Sequence, residues 1–373
     1  MSGWRSVADA PRRGPAPWAQ PEEDLSAAAV DVIVVTWNGR SHLARCLPAL
    51  AAQDYPHMRV LVVDNGSTDG TLEWLAEAWP SVRVIALGRN SGFCAANNAG
   101  IAATDAPWVA LLNNDTVPAP GWLTALVEAA SPPRVAAVAS RMSFLDRPEV
   151  INSTGIALDP TGIAWDRLGG APDAAGDAPS AVFGASAGAA LYRRRALEDV
   201  EGLGTHDPAR TDASEPRAAV FDERFFMYLE DVDLAWRLRL RGWASVYAPE
   251  ARVLHAASAT AGEGSPFKNR LLARNKVWTV LKNYPSAGLA RWGGAVLAYD
   301  LASAPYRLLL GGQTAALAGR ADAWRGAGAM WPSRARIQAA RRSAWPEIRA
   351  AMAPFDPPWA VAARYRHLRP VID

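Results

Sequence analysis

Four short apolar runs separated by helical segments constrain the fold of this chain more than any other feature. The runs are VDVIVVTW (30–37), RVLVVD (59–64), VRVIAL (82–87) and WVALL (108–112). We predict the helices between them near residues 40–52, 70–78 and 92–103. Apolar strands that alternate with helices form a parallel sheet with helices on both faces, so the pattern predicts an α/β fold.

Polar residues follow three of the predicted strands. Ligands of open parallel sheets bind at the carboxyl ends of the strands. The polar segments there are Thr36 to Asn38, Asp64 to Asp69 and Asn113 to Asp115. Such residues also form turns and helix caps, but three segments on one sheet edge indicate a polar ligand. Neither a GxGxxG after the first strand nor a GxxxxGK[ST] is present, which argues against a dinucleotide oxidoreductase and a P-loop enzyme.

The stretch FDERFFMYLEDVDLAWRLRLRGW (221–243) joins an aromatic segment to three carboxylates. The apolar spacing predicts a helix that begins around Glu230, Asp231 and Asp233 and ends near Gly242. Acidic residues at a helix start can simply complement the helix dipole. Three clustered carboxylates also repel one another and raise at least one pKa, which is how a site obtains a general base. The cluster therefore indicates catalysis.

Two further features have both a structural and a functional interpretation. The small residues of FGASAGAALYRR (183–194) indicate that the backbone closely approaches either a ligand or the sheet. His255 ends a predicted strand and is either a surface histidine or a metal ligand. Because it follows two carboxylate clusters, we include it as a candidate ligand.

The charge of the chain is divided between an acidic body and a basic C-terminal part. Residues 264–373 hold 17 Lys and Arg against 5 Asp and Glu, whereas residues 1–263 hold 22 against 32. This division predicts an anionic partner for the basic part, either nucleic acid or anionic lipid. The two cysteines cannot form a disulfide framework and the N-terminus has no secretory signal, so we expect a reducing, cytoplasmic compartment.

We predict three regions: a disordered leader at 1–28, a catalytic domain at 29–265 and a basic helical region at 266–373. Residues 203–219 are predicted to form a flexible insertion. The apolar segment 289–312 is interrupted by charged residues and proline, so its apolar runs are too short to span a bilayer. The segment fits a helix in the membrane interface, or equally a buried helical hairpin.

Taken in order, these motifs resemble the family 2 glycosyltransferases of GT-A fold over roughly residues 30–285. The segments that carry the resemblance are VVTWNGRSHLARCL, VVDNGSTDGT, RNSGFCAANNAGI, LLNNDT, FGASAGAALYRR, the acidic stretch and the strand ending in His255. Within that family the chain looks most similar to rhamnosyl- and related transferases of bacterial surface-polysaccharide assembly. The resemblance implies inverting transfer from dTDP-rhamnose or a UDP-sugar to a hydroxyl of a glycan or lipid-linked glycan.

The resemblance also implies roles for individual residues. It places the catalytic base at Asp231, with Glu230 beside it. The implied donor-binding residues are Thr36, Asn38, Asp64, Asn65, Asn90, Asn113, Asn114, Asp115 and Arg274. The implied acceptor-side residues are Gly188, Ala189, Tyr228 and Asp233. Asp115 and His255 are implied to bind Mg2+ or Mn2+, with a lowered affinity because Asn113 stands where the family has Asp.

The partners expected from the resemblance are a nucleotide-diphosphate sugar and a glycan or polyprenyl-diphosphate-linked acceptor. The basic region then fits an anionic membrane surface at the inner face of the cell membrane, and not nucleic acid. Two other functions stay open. A sugar-phosphate nucleotidylyltransferase would carry a glycine-rich, basic loop after the first strand, where this chain has TWNGRSHL. A non-catalytic carbohydrate- or lipid-binding module would be favoured by loss of the acidic pair, which this chain retains.

Overall fold

The computed structural model describes residues 28–203, 219–256, 265–311 and 314–357, with the backbone alone for 303–311. The predicted leader and the predicted 203–219 insertion therefore lie almost wholly outside the described residues. The strands in the described ranges are β1 (Val30–Thr36), β2 (Met58–Asp64), β3 (Arg83–Ala86), β4 (Trp108–Asn113), β5 (Thr116–Pro118), β6 (Val135–Phe144), β7 (Ile151–Ser153), β8 (Ile156–Leu158), β9 (Ala164–Asp166), β10 (Ser180–Val182), β11 (Ala189–Arg193) and β12 (Ala244–His255). The helices are α1 (Arg40–Ala51), α2 (Thr71–Ala78), α3 (Gly92–Ala102), α4 (Trp122–Ala129), α5 (Arg194–Val200), α6 (Glu230–Leu240), α7 (Pro266–Asn283), α8 (Ser286–Gly311), α9 (Thr314–Arg325), α10 (Met330–Ala339) and α11 (Trp345–Ala351).

The central sheet has a parallel half and a mixed half. Its strand order is β10-β12-β6-β11-β4-β1-β2-β3, with β5 paired to β12 and β7 to β6. The strands β3, β2, β1 and β4 are all parallel, which confirms the fold predicted from the four apolar runs. Strand β11 runs antiparallel between β4 and β6. Because β11 starts where β4 ends, the residues that precede β11 lie at the same sheet edge as the strand-end loops.

The parallel strands are buried on both faces, which explains their continuous apolar sequences. Within β1, Ile33 belongs to a core that includes residues of α3, α5 and α6. Val32 and Val34 belong to a second core, on the other face, that includes residues of α1, α2 and α4. Cys46 and Cys94 are free and buried on opposite faces of the sheet. Alternate residues of each strand thus serve two separate cores, as expected for a sheet enclosed between helices.

The C-terminal part is helical, as predicted. Helix α7 packs against α6, the helix that carries the acidic cluster, and also against α9 and α10. Helix α8 occupies the segment predicted to be an interfacial helix or a buried hairpin. Of the helices in the described part of the chain, none is long and apolar enough to cross a membrane.

Candidate active site

The polar segments that follow β1, β2 and β4 meet at one edge of the sheet. The Asn114 side chain donates to Thr36 Oγ1 at 2.8 Å, which joins the end of β1 to the end of β4. Asn38 Oδ1 accepts from the Thr68 amide at 2.7 Å, which joins the end of β1 to the loop after β2. These bonds between loops hold the predicted donor-binding segments in one place.

Asp64 lies at the end of β2 and is fully buried. Its Oδ2 accepts hydrogen bonds from the Gly66 and Ser67 amides, both at 3.1 Å. Its Oδ1 is buried and accepts no hydrogen bond from any residue in the described ranges. A buried carboxylate oxygen without a donor is costly, so this atom is suited to accept an N–H from a bound ligand.

Asn65 and Asn90 brace the edge of the site. Asn65 Oδ1 accepts from the Ser91 amide at 2.8 Å, and its Nδ2 donates to Asn90 Oδ1 at 3.1 Å. Asn90 Oδ1 also accepts from the Gly92 amide at the start of α3. Both side chains thereby fix the loop that leads into α3.

Asp115 and His255 form the candidate metal centre. The pairing of β12 with β5 places His255 opposite Thr116, and the Ala256 amide donates to the Asp115 carbonyl at 2.9 Å. His255 Nε2 lies 3.3 Å from Asp115 Oδ1. On the other side of the ring, His255 Nδ1 lies 2.9 Å from Asn152 Oδ1. When this amide oxygen accepts the Nδ1 proton, Nε2 keeps its lone pair and faces a carboxylate.

This pair fits a divalent cation. The Asp115 Oδ1 atom is buried and accepts no hydrogen bond within the part of the chain that the structure describes. Two ligands of one octahedral ion lie about 3 Å apart, close to the observed separation. Burial raises the pKa of Asp115, but the protonated form of the His255 ring, with smaller contributions from His42 and the backbone, lowers the pKa below its ordinary value. No group of three or more His, Cys, Asp or Glu side chains able to hold a metal occurs among the described residues. A cation here would therefore need ligands from a substrate or from water.

The segment that leads into α6 has an unusual backbone. Phe226, Tyr228 and Leu229 have φ values of 66°, 68° and 63°, in the left-handed region that non-glycine residues rarely adopt. Such residues cost on the order of 1–3 kcal/mol each and persist only when their surroundings hold them. Helix α6 then begins at Glu230, as the sequence predicts. The strain lies immediately before the two carboxylates implied in catalysis.

Asp231 is held at the edge of the strand-end loops. Its Oδ2 accepts from the Ala187 amide at 3.3 Å, and its Oδ1 accepts from the Val232 amide at 2.8 Å. The Gly188 carbonyl, one residue beyond Ala187, accepts from the Asn113 amide at 2.8 Å. Asp231 is therefore joined through residues 187–188 to the end of β4.

The environment of Asp231 raises its pKa to about 6. Burial is the main cause and the negative charge of Asp166 adds to it, while the hydrogen bonds from the backbone and from Ser186 act in the opposite direction. A carboxylate with this pKa is ionised at neutral pH and is a stronger base than an ordinary aspartate.

Glu230 differs from its neighbour. It is buried, and burial together with the charges of Asp231 and Asp233 raises its pKa well above the ordinary value. Its Oε2 atom has no hydrogen-bond partner in the described ranges. Burial thus raises both pKa values, and mutual repulsion disfavours simultaneous ionisation of Glu230 and Asp231, as in other carboxyl pairs of active sites.

Three predicted site residues have other roles in the structure. Asp233 is fully buried and lies 3.0 Å from both Arg237 and Lys282, so the prediction that it faces an acceptor was wrong. Ala189 is buried in the β11 core, so it cannot line the acceptor side either.

Arg274 was predicted to bind the donor. In the structure it donates to the carbonyls of Arg224 and Phe225 and thereby braces the loop before α6. Gly188 and Tyr228 are half-buried.

The site also contains residues that the sequence did not single out. Ser186 and Ala187 contact Asp231, and the run of small residues at 183–194 was the signal that could have identified them. Asn152 orients His255 from β7, a short strand that no sequence pattern marks. Asp166 influences Asp231 from β9, again without a sequence signal.

Comparison with known proteins gives concordant results. The family model for glycosyl transferase family 2 matches residues 31–201. An N-acetylglucosaminyl-diphospho-decaprenol L-rhamnosyltransferase of Mycobacterium tuberculosis is 34% identical over 247 residues, covering 60% of this chain and 75% of that protein. The O-antigen biosynthesis protein RfbC of Myxococcus xanthus is 30% identical over 241 residues, covering 61% of this chain and 17% of that protein.

A solved structure shares the fold. The chain superimposes on GalNAc-T7, crystallised with UDP, GalNAc and Mn2+, with a TM-score of 0.52 and 16% identity. The superposition covers 75% of this chain and 52% of that one. At this identity the likeness establishes the GT-A architecture alone.

Asp231→Asn is expected to change the pH dependence of stability. The folded-state pKa of about 6 lies above the ordinary value near 4. The contribution of protonated Asp231 to the free energy of unfolding is therefore fully present below pH 4 and is lost as pH rises through 6. The free energy of unfolding of the variant minus that of the wild type should therefore increase by about 2 kcal/mol from pH 4 to pH 8. Urea unfolding at pH 4, 6 and 8 measures this difference.

Asp222→Asn is the matched control, because the sign reverses. Burial raises the pKa of Asp222, but the positive charges of Lys282 and Arg224 outweigh burial and lower the pKa to about 2. The contribution of Asp222 is thus present above pH 4 and lost only as pH falls toward 2. Asp222→Asn should destabilise the protein at pH 8. A pH-independent difference for Asp231→Asn would contradict the assigned pKa.

Proposed function

This chain belongs to glycosyl transferase family 2, and we propose that it is an inverting enzyme that builds a bacterial cell-surface glycan. The proposed reaction moves a rhamnosyl or related sugar from a nucleotide-diphosphate donor to a hydroxyl of a lipid-linked acceptor. One observation carries the mechanism: Asp231 is a partly buried carboxylate with a pKa of about 6, joined to the strand-end loops through the Ala187 amide. The mycobacterial relative, whose name specifies an L-rhamnosyltransferase of a decaprenol-linked substrate, supports the sugar and the acceptor class.

In this proposal Asp231 acts as the general base. An acceptor hydroxyl oxygen forms a bond to the anomeric carbon of the donor sugar as the bond from that carbon to the diphosphate breaks. The hydroxyl proton passes to the Asp231 carboxylate, and the nucleoside diphosphate leaves with the electron pair. A single displacement of this kind inverts the anomeric configuration. In this proposal Glu230, whose pKa is raised by burial and by the charges of Asp231 and Asp233, stays protonated during the transfer.

The donor would lie along the strand-end loops. The unpartnered Asp64 Oδ1 is suited to an imide N–H of a nucleobase such as thymine or uracil. Thr36 and Asn38 would line the nucleoside pocket, with Asn113 and Asn114 toward the diphosphate. Asp115 and His255 would hold a Mg2+ or Mn2+ ion, which, when bound, would neutralise negative charge on the diphosphate.

The proposed function is tested by supplying donors and acceptor together. Purified protein is incubated with dTDP-rhamnose or UDP-sugars and a polyprenyl-diphosphate-linked N-acetylglucosamine, and the product is examined for its anomeric configuration. We expect transfer with inversion. Binding of the correct donor at a hundred times its Kd should also stabilise the protein by about 2.7 kcal/mol in thermal unfolding. Transfer with retention, or none with any donor, would refute the proposal.

Asp231→Asn should abolish transfer and leave donor binding nearly intact. Removal of a general base typically lowers turnover by about 100- to 10,000-fold, while the donor contacts predicted at the strand-end loops are unchanged. Initial rates and calorimetry with the nucleoside diphosphate measure the two effects. Glu230→Gln is the paired variant. Because glutamine resembles a protonated glutamic acid, its loss of turnover should be smaller than that of Asp231→Asn. If the two losses are reversed, Glu230 is the base.

Asp115→Ala and His255→Ala should each weaken the metal-dependent part of nucleotide binding. Both side chains are proposed to bind one ion, so each variant loses a ligand. Calorimetry of nucleoside diphosphate binding with Mn2+ and with EDTA separates the metal-dependent part. His57→Ala is the control, because His57 is exposed and precedes β2 at the opposite edge of the sheet. Unchanged affinity in both ligand variants would argue for a metal-independent site.

The basic C-terminal helices are proposed to hold the enzyme on an anionic membrane. Large apolar side chains are exposed there, with Leu301, Trp324 and Trp331 at 64%, 61% and 57% exposure. Arg291 on α8 and Arg325 on α9 are exposed as well. Exposed tryptophan and leucine side chains beside arginine suit the boundary between headgroups and acyl chains.

Flotation with liposomes tests this location. The protein should float with anionic vesicles at low salt and be released at high salt, because each basic residue near such a surface contributes on the order of 1 kcal/mol and is screened by ions. Vesicles of neutral lipid provide the control. If neither kind binds the protein, peripheral attachment through this region is excluded.

A further inference from the structure

One buried side chain of α7 contacts the strained segment directly. Asn275 is fully buried, and its Nδ2 donates to the carbonyls of Phe225, Met227 and Tyr228 at 3.1, 2.9 and 2.8 Å. Its Oδ1 accepts from Arg274 Nε at 2.9 Å. Because a guanidinium donates to that oxygen, the amide is oriented with its N–H groups toward the loop.

These bonds lie where the backbone needs support. Two of the three carbonyls belong to Met227 and Tyr228. Both lie in the strained segment 226–229, in which Phe226, Tyr228 and Leu229 have positive φ values. Only Leu229 separates Tyr228 from Glu230. Without Asn275, the Met227 and Tyr228 carbonyls would lose this donor, whereas the Phe225 carbonyl would keep the Arg274 side chain and the Met227 amide. Loss of such hydrogen bonds allows a strained segment to relax toward ordinary backbone conformations. Asn275 thus contacts the backbone just before Asp231 from a position 44 residues further along the chain.

Further α7 residues fix the two ends of the segment. Lys282 Nζ is fully buried and lies 2.6 Å from Asp222 Oδ2 and 3.0 Å from Asp233 Oδ1. Asn283 also donates to Asp233 Oδ1 at 2.7 Å. Asp222 precedes the strained segment and Asp233 follows it, so α7 binds both ends while Asn275 binds the middle.

The opposite side of the segment touches the loop that enters α3. The Phe226 carbonyl accepts from the Cys94 amide at 3.1 Å, in the first turn of α3. A Cβ atom at Gly92 would lie 2.5 Å from the Phe226 ring, so only glycine allows this approach. The segment is thus enclosed between α3 and α7. From the α7 side, Arg274 donates to its start at Phe225, and Asn275 alone of these two side chains reaches Met227 and Tyr228.

We propose that Asn275 is a positioning residue that holds residues 225–228 in the conformation that presents Asp231 to the acceptor hydroxyl. The proposal rests on the proposed transfer reaction. It extends the site to α7, a helix on which only Arg274 was predicted to belong to the site, as a donor-binding residue. Asn275 does not touch the reacting atoms, and it acts only through the backbone.

The test combines hydrogen exchange and kinetics on the full chain. Asn275→Asp keeps the size of the side chain and removes both N–H donors. We expect amide exchange in residues 225–231 to rise at least about tenfold, and kcat to fall at least about tenfold, with the KM for the donor within about twofold of wild type. Asn275→Ser keeps one hydroxyl donor, so it should give smaller changes of the same kind and replaces the aspartate variant if that variant does not fold.

Tyr284→Phe is the matched control. It removes a buried hydrogen bond at the C-terminal end of the same helix, in which Tyr284 donates to the Pro160 carbonyl at 2.6 Å, and its ring contacts Trp236 and Trp345 and not residues 225–228. A general loss of stability would affect both variants alike. If Asn275→Asp matches the control in exchange at 225–231 and in kcat, the positioning role is wrong. Absence of transfer by the wild type would instead overturn the proposed function, and the catalytic part of this proposal with it.

Discussion

The buried ammonium of Lys282, between the carboxylates of Asp222 and Asp233, is the interaction on which the candidate site depends. A buried ion pair contributes little net stability, but leaving one partner uncompensated costs about 3–5 kcal/mol. The cluster therefore acts mainly as a constraint on geometry. It ties the start of the strained segment, the first turn of α6 and the end of α7 to one point. Glu230 and Asp231, the carboxylates proposed for catalysis, lie between the elements that this point joins.

The sheet topology supplies the other half of the site. Strand β11 runs antiparallel to β4, so the loop before β11 reaches the edge where β4 ends. That loop contributes the Ala187 amide to Asp231, while the end of β4 leads to Asp115. A sheet of parallel strands alone would bring the loops after β1, β2 and β4 to this edge. The reversed strand adds residues 186–188, which contact Asp231 and the end of β4.

The sequence predicts the parts of this architecture that depend on local periodicity. The four parallel strands, the start of α6 and its end before Gly242 follow from apolar spacing and a glycine stop. The direction in which a side chain points and the residues it contacts depend on distant parts of the chain, and sequence patterns do not predict them. Asp231 and Asp233 look equivalent in sequence, yet two residues on a helix separate a carboxylate at the cleft from one facing Lys282. Asn275 gives no sequence signal, because its partners are backbone carbonyls far away in the chain.

The enclosure of the strained segment by α7 has a consequence for synthesis of the protein. Ribosomes add roughly 5–20 residues per second, so several seconds separate the emergence of Asp231 from that of Asn275. During that interval the sheet and its strand-end loops can fold, and α3 already supplies the Cys94 amide to the Phe226 carbonyl, but the side chain that donates to Met227 and Tyr228 has not been made. The segment before α6 is thus completed late in translation, and a nascent chain interrupted before α7 has the strand-end loops without the backbone geometry that precedes Asp231.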